Sequence, residues 1–164
     1  MTTDANIIAN LLKRLTELES RSAIRDLVSD YCHGFDKRDY HRFLSIWFES
    51  CVWDIGPPFG SFEGHAGIHE AIYDVLWPAW GKSHHLTTNL RIEFQSEINA
   101  TAVCDVSCMG SLTGESTCTV VGATYSDTLI REHAGWKILK RIVQMHYFNP
   151  IPGAVLTAPE AVPE

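Results

Sequence analysis

Apolar residues recur at helical spacing from about Asp4 to Phe35. Ile7, Ile8, Leu11, Leu12, Leu15 and Leu18 form one stripe, and Ile24, Leu27, Val28, Tyr31, Cys32 and Phe35 carry it on. Ser20-Arg21-Ser22 offers a break, because serine is a good N-cap. The segment before it then reads as an arm that packs on the body or on a partner subunit. Asp39 caps a second helix, Tyr40 to about Phe48. Cys51 to Ile55 alternates like a short strand, Gly56-Pro57-Pro58-Phe59-Gly60 is a turn, and Ser61 to Gly64 is a second extended piece, which predicts a small hairpin. Ile68, Ile72, Val75 and Leu76 mark the inner face of a third helix, roughly His65 to Trp80.

After Gly81 the pattern changes to strands: Leu86 to Phe94, Thr101 to Leu112, Thr117 to Arg131 and Gly135 to Phe148. The breaks between them have hairpin length, so the strands should form one antiparallel meander. The tail from Asn149 is rich in proline and alanine and reads as extended. Helices first and a long sheet second predict an α+β fold, with N-terminal helices packed on a strongly curved, mainly antiparallel sheet. Such a cone-shaped barrel closed by helices makes a pocket. The expected organisation is a single domain over residues 1–164, with a helical arm at 1–20 and an extended tail at 149–164.

Composition narrows the partners. The formal charge of -7 argues against nucleic acid, and the basic cluster Lys137, Lys140 and Arg141 lies inside a strand pattern. No apolar run approaches the roughly 20 residues of a membrane span, and the N-terminus lacks the basic and apolar regions of a secretory signal. The five cysteines are odd in number and form no CxxC, which predicts reduced thiols and a cytoplasmic protein. A stripe longer than one helix can bury predicts a homo-oligomer.

Candidate chemistry centres on Ser83-His84-His85-Leu86, where two histidines lead into a strand. Histidine titrates near neutrality, and one at the mouth of a strand can be fixed as a general base. Strict alternation groups His85 with Thr87, Asn89 and Arg91, opposite Leu86, Leu90, Ile92 and Phe94. If the apolar face is interior, His85 then points outward. A bulge near Thr87-Thr88, or a ladder that starts after His85, would re-aim it. Asp36 falls four residues after Cys32 at a helix end, where the helix dipole disfavours a carboxylate. It is either an acid positioned to hold an imidazole or a solvated turn residue. Leu139, Arg141, Val143, Met145 and Tyr147 share a strand face, as do Val121, Ala123 and Tyr125. A buried Arg141 requires either a ligand anion or a structural ion pair. Trp53, Trp77 and Trp80 are candidate aromatic walls. His65 and His69 have a metal-capable i, i+4 spacing, but nothing in the sequence completes a site, and no metal is expected.

These stretches together resemble the SnoaL-like group of the nuclear transport factor 2-like (cystatin-like) superfamily. Within that group they look nearest to the lindane (hexachlorocyclohexane) dehydrochlorinases, with the scytalone dehydratases more distant. The resemblance rests on Ala23-Ile24-Arg25-Asp26-Leu27, Asp36-Lys37-Arg38, Ser45-Ile46-Trp47, Val75-Leu76-Trp77-Pro78, Thr88 to Phe94, and Gly135-Trp136-Lys137 through Tyr147-Phe148. It implies an α+β barrel and a cofactor-free lyase with a His-Asp dyad, which falls on His85 and Asp36. It also implies a pocket arginine at Arg141 and pocket walls at Trp53, Leu76, Trp80, Val106, Cys108 and Tyr125. In the dehydrochlorinases a lysine or glutamine of the first helix lies near the leaving group, and Tyr31 stands there in this chain. A phenol donates a hydrogen bond but carries no positive charge near neutrality, which suits a leaving hydroxyl at least as well as a chloride. The aromatic walls predict a small apolar or cyclic substrate, and the apolar stripe predicts a trimer or dimer, the trimer being what the resemblance implies. Two alternatives remain open. One is a non-catalytic ligand-binding or assembly module, like the structural small subunits of aromatic-ring dioxygenases. The other is an isomerase or cyclase that uses the same base.

Overall fold

A computed structural model describes residues 2–157, with side chains from Asp4 onward. Helix α1 (Thr2–Asp36) runs for 35 residues without a break. The expected stop at Ser20-Arg21-Ser22 is absent, because this is where the helix first meets the sheet. Arg21 donates to the Ile92 carbonyl at 3.1 Å and to Glu17, and its guanidinium lies 4.9 Å over the Phe94 ring. Residues 4–19 are all exposed. From Ile24 to Phe35 the predicted stripe is buried.

Helix α2 (Tyr40–Ser45) is capped by Asp39, whose side chain accepts from the Arg42 amide at 3.0 Å. Gly34 lets it lie against α1, since a Cβ there would come 2.7 Å from the Phe43 nitrogen. The helix ends three residues before the expected Phe48. Trp47 and Phe48 belong instead to β1 (Trp47–Gly56), which pairs with β2 (Gly60–Glu63). The third helical segment begins as α3 (Gly64–Glu70), continues as a π-helical stretch over Ala71–Leu76, and closes with α4 (Trp77–Ala79). Trp80, expected to end that helix, opens β3 (Trp80–Phe94) instead. Strands β4 (Asn99–Leu112), β5 (Thr117–Glu132) and β6 (Gly135–Val155) complete one six-stranded sheet, ordered β2-β1-β6-β5-β4-β3. The meander from β3 to β6 is antiparallel as predicted, and β1 joins it through a parallel pairing with β6. The sheet is not closed, as β2 and β3 are its two edges. The fold is thus α+β, with helices packed on an open mixed sheet. Residues 149–155 of the expected tail extend β6 and reach back to the start of β5, the Leu156 amide donates to the Ser116 carbonyl at 3.0 Å, and residues 158–164 lie outside the described residues.

Three irregularities decide what faces the helices. In β3 one extra residue is accommodated between Thr88 and Arg91, with Asn89 in the left-handed region at φ 57°. Asparagine tolerates that conformation better than most residues. The bulge shifts the phase of the strand. Ser83, His85 and Thr87 face inward before it, and Leu90, Ile92 and Phe94 face inward after it. In β6, register shifts leave Leu139 and His146 as extra residues. The expected face of Leu139, Arg141, Val143, Met145 and Tyr147 therefore keeps only its middle three. Tyr147 turns out, 51% exposed, and Phe148 turns in. No helix of the described residues is long and apolar enough to cross a membrane.

Candidate active site

Asp36 is the last residue of α1, and its carboxylate ties that helix end to β3. Oδ1 accepts from the Ser83 hydroxyl at 2.8 Å and lies 2.6 Å from His85 Nδ1, while Oδ2 accepts from the His85 amide at 2.7 Å. The chain around it is braced. Arg38, with φ 54°, donates to the carbonyls of Trp77 and Trp80, and Trp77 Nε1 donates to the Phe35 carbonyl at 3.1 Å. Burial of Asp36 works to raise its pKa. The His85 hydrogen bond and charge, the His85 amide and the Ser83 hydroxyl outweigh that and hold the carboxyl below its usual value. An ionised carboxylate can only accept, so His85 Nδ1 donates its proton to Asp36, and in the neutral form of the ring Nε2 keeps its lone pair. The side chains of His85 and Asp36 are 10% and 11% exposed, so the pair is shielded but reachable.

Because the folded-state carboxyl is depressed, its contribution to stability is complete above the ordinary aspartate value of about 3.9. It is lost as pH falls through the lower folded value. Urea unfolding between neutral and strongly acid pH should accordingly show a smaller acid-side loss for Asp36→Asn than for the unmodified chain. Parallel curves for the two proteins would contradict the assignment.

His85 contributes to the wall of an apolar cavity with about 530 Å³ of atom-free space, part of it open to solvent. Trp53, Leu76, Trp80, Val106, Cys108, Tyr125 and Tyr31 line it, whereas Trp77, the third candidate aromatic wall, does not and instead donates to the Phe35 carbonyl. Gly110 makes room for one of them, since a Cβ at that position would come 2.8 Å from the Trp80 ring. Burial pushes the Cys108 thiol up to about 12, which leaves it an inert wall residue at neutral pH. All five cysteines are buried and free.

Arg141 is the exception among the expected site residues. It is fully buried and does not line the cavity. Its Nε and Nη2 donate to the two carboxylate oxygens of Asp127, both at 2.7 Å, and its guanidinium carbon lies 4.3 and 4.4 Å from the ring centroids of Tyr31 and Tyr125. Burial works against the Arg141 charge, but the Asp127 carboxylate outweighs it and raises the Arg141 pKa. Of the two readings open in the sequence, the ion pair is therefore the one present. Sequence reasoning missed Asp127, which depends on the β5–β6 register that pairs it with Arg141. It also missed Ser83, which the two-residue spacing to His85 could have signalled. Phe35, Phe59 and Phe148 are further wall residues that it did not name.

His65 and His69 are engaged separately: His65 Nε2 contacts the Trp47 carbonyl at 3.1 Å, and the His69 ring packs against Tyr40 and Tyr73. Among the described residues no group of three or more His, Cys, Asp or Glu side chains could hold a metal ion.

The family described as "SnoaL-like domain" matches residues 16–142. A hexachlorocyclohexane dehydrochlorinase from Sphingobium indicum is 36% identical over 148 residues, which cover 90% of this chain and 96% of the relative. The crystal structure of hexachlorocyclohexane dehydrochlorinase LinA-type3 from Novosphingobium barchaimii superposes with a TM-score of 0.83 at 35% identity, covering 89% of this chain and 99% of that one. At 21% identity the likeness is one of fold alone: a structure provisionally named a scytalone dehydratase, from Novosphingobium aromaticivorans, superposes with a TM-score of 0.75 over 91% of this chain and 98% of that one.

Proposed function

This chain belongs to the SnoaL-like domain family, and on that premise we propose that it is a cofactor-independent lyase acting on a small apolar or cyclic molecule. The observation that carries the reading is the 2.6 Å contact between His85 Nδ1 and Asp36 on a ring that also lines the cavity. In this reading His85 Nε2 removes a proton from carbon, and Asp36 fixes the tautomer and stabilises the imidazolium that forms. Asp36 sits at a helix end that disfavours its charge, so the imidazolium gains from the carboxylate and relieves it in return. Tyr31, in the same wall, steadies the leaving group or a developing oxyanion. Arg141 acts through the tyrosines it packs against rather than by touching the substrate. The relatives at about one-third identity are named dehydrochlorinases, which supports an elimination as the reaction class.

The test is a panel of chlorinated and hydroxylated cyclic compounds, followed by alkene formation. Turnover of at least one member that His85→Ala abolishes is the expected result. No turnover across a wide panel would favour the ligand-binding alternative.

The chain is further expected to self-associate. Ile7, Ile8, Leu11, Leu12, Leu15 and Leu18 are each 52–63% exposed on α1, an unusual load of apolar surface for a lone helix. Sedimentation at micromolar concentration should give a trimer or dimer, and a stable monomer there would refute it.

A further inference from the structure

An amphipathic helix on a protein surface turns its apolar face to its own core. Helix α1 does so from Ile24 onward. Ahead of that the arrangement is inverted. Lys13, Thr16, Glu17 and Ser20 line a groove against Phe94, Arg131 and Trp136 of the same chain, so it is the polar face that looks at the body. Arg21 fastens that face through its bonds to Glu17 and to the Ile92 carbonyl. Ile7, Ile8, Leu11, Leu12, Leu15 and Leu18 are left uncovered by the body. The family match begins at residue 16, so most of this stripe lies ahead of the segment it covers.

The spacing of the stripe is that of a coiled-coil seam. Ile8 and Leu15 fall at a positions of a heptad and Leu11 and Leu18 at d positions, while the groove residues Lys13, Thr16, Glu17 and Ser20 fall at b, c and f on the far side. The flanking positions choose the direction. In parallel helices a g residue faces the e residue five places further on in the neighbour. Ile7 then meets an apolar partner, Leu12, and Arg14 meets Glu19, of opposite charge. Antiparallel helices that pack Ile8 on Leu18 and Leu11 on Leu15 would set Arg14 against its own copy and Glu19 beside Ala5. Among the described residues neither Arg14 nor Glu19 is engaged in an ion pair within its own chain.

We propose that residues 7–18 of α1 are the seam of a parallel, in-register coiled coil formed with other copies of this chain. The proposal deepens the self-association expected above and is independent of the lyase reading. The seam is only about 18 Å long, too short to hold as a free peptide. Here it continues a helix whose second half is fixed in the core, so the costly nucleation step is already made. Parallel helices also suit a closed cyclic assembly, in which every copy presents the same face. A lipid surface fits this helix less well. A helix that lies on a membrane is rich in Lys and Arg on its polar face. Across residues 4–19 the basic side chains are Lys13 and Arg14 alone, against the acidic Asp4, Glu17 and Glu19.

The experiment is disulfide crosslinking of the full chain under a mild oxidant, followed on non-reducing gels. The five native cysteines are buried and stay out of the reaction. Ile8→Cys and Leu18→Cys, at opposite ends of the seam, should each give a covalent dimer with its own kind. Both should do so at least about tenfold faster than Lys13→Cys, which faces the groove, because a disulfide needs Cα atoms within about 7 Å. In the antiparallel arrangement either cysteine would lie about 15 Å along the axis from its copy, and neither would crosslink. Adding Leu11→Glu and Leu15→Glu should slow the Leu18→Cys reaction by about tenfold or more, with circular dichroism showing the body still folded. An oligomer by sedimentation whose seam cysteines react no faster than Lys13→Cys would overturn the seam and leave self-association standing through another face. A stable monomer would overturn both. Vesicles of phosphatidylcholine and phosphatidylserine test the lipid alternative. Flotation of the unmodified chain with them, lost in Leu11→Glu with Leu15→Glu, would assign the stripe to a bilayer and overturn the proposal, whereas no flotation is the expected result.

Discussion

Asp36→Asn is expected to lower the elimination rate by a factor on the order of 10²–10⁴ while the fold is largely kept. The substitution keeps the shape of the side chain and much of its capacity to accept from Ser83 Oγ and the His85 amide. It removes the charge that holds the proton on His85 Nδ1 and that stabilises the imidazolium. An amide in that position can also present its NH₂ group to the ring and favour the wrong tautomer. His85→Ala should cost at least as much, and the double variant should lose little more than either single one, because the two side chains act as one unit. Steady-state kinetics on whichever panel member turns over, with circular dichroism to follow folding, give the comparison. Normal turnover in His85→Ala would remove His85 from the mechanism. Additive losses would mean that Asp36 acts independently of it.

Arg141→Leu should destabilise the protein by about 3–5 kcal/mol, because it leaves the Asp127 carboxylate, 1% exposed, without its partner. Denaturant unfolding reads the loss directly. Replacing both members, Arg141→Met with Asp127→Leu, should recover most of it, since a buried ion pair and a well-packed apolar pair of similar volume are often close in free energy. The stacking of the guanidinium between Tyr31 and Tyr125 is lost in both variants and sets the remaining difference. A single variant as stable as the unmodified protein would show that the pair does not hold this part of the core together.

The two experiments address different layers of one wall. His85 and Asp36 lie where α1 ends against β3, and their geometry depends on Ser83 and on the Arg38 contacts that brace the turn. Arg141 and Asp127 lie on β6 and β5 and reach the cavity through two aromatic rings. Loss of activity with stability kept is expected for the first pair, and loss of stability for the second.

The local pattern of apolar residues was enough to read the buried stripe from Ile24 to Phe35, the cap at Asp39, the four long strands and the shared face of Val121, Ala123 and Tyr125. These features follow from periodicity and capping, which depend on near neighbours in the chain. The likeness spread along the chain pointed to the wall residues and to His85 and Asp36 as a pair. The direction of His85 was not legible. It depends on where β3 accommodates its extra residue, and that is set by pairing with Asp105 and Val103 on a different strand. The start of β3 at Trp80 was hidden because Gly81-Lys82-Ser83 carries no apolar alternation, and the pairing with β4 supplies what that stretch lacks. Trp47 and Phe48 looked like the bulky end of a helix until β6 offered β1 a parallel neighbour. Asp127 carried no signal of its own, because a carboxylate in a strand is ordinary until the register sets it against an arginine. Sequence by itself determined which segments were helix or strand and which residues were apolar enough to wall a cavity. Bulge position, strand register and the choice of ion-pair partner belonged to the tertiary structure, because each is settled by contacts between residues far apart in the chain.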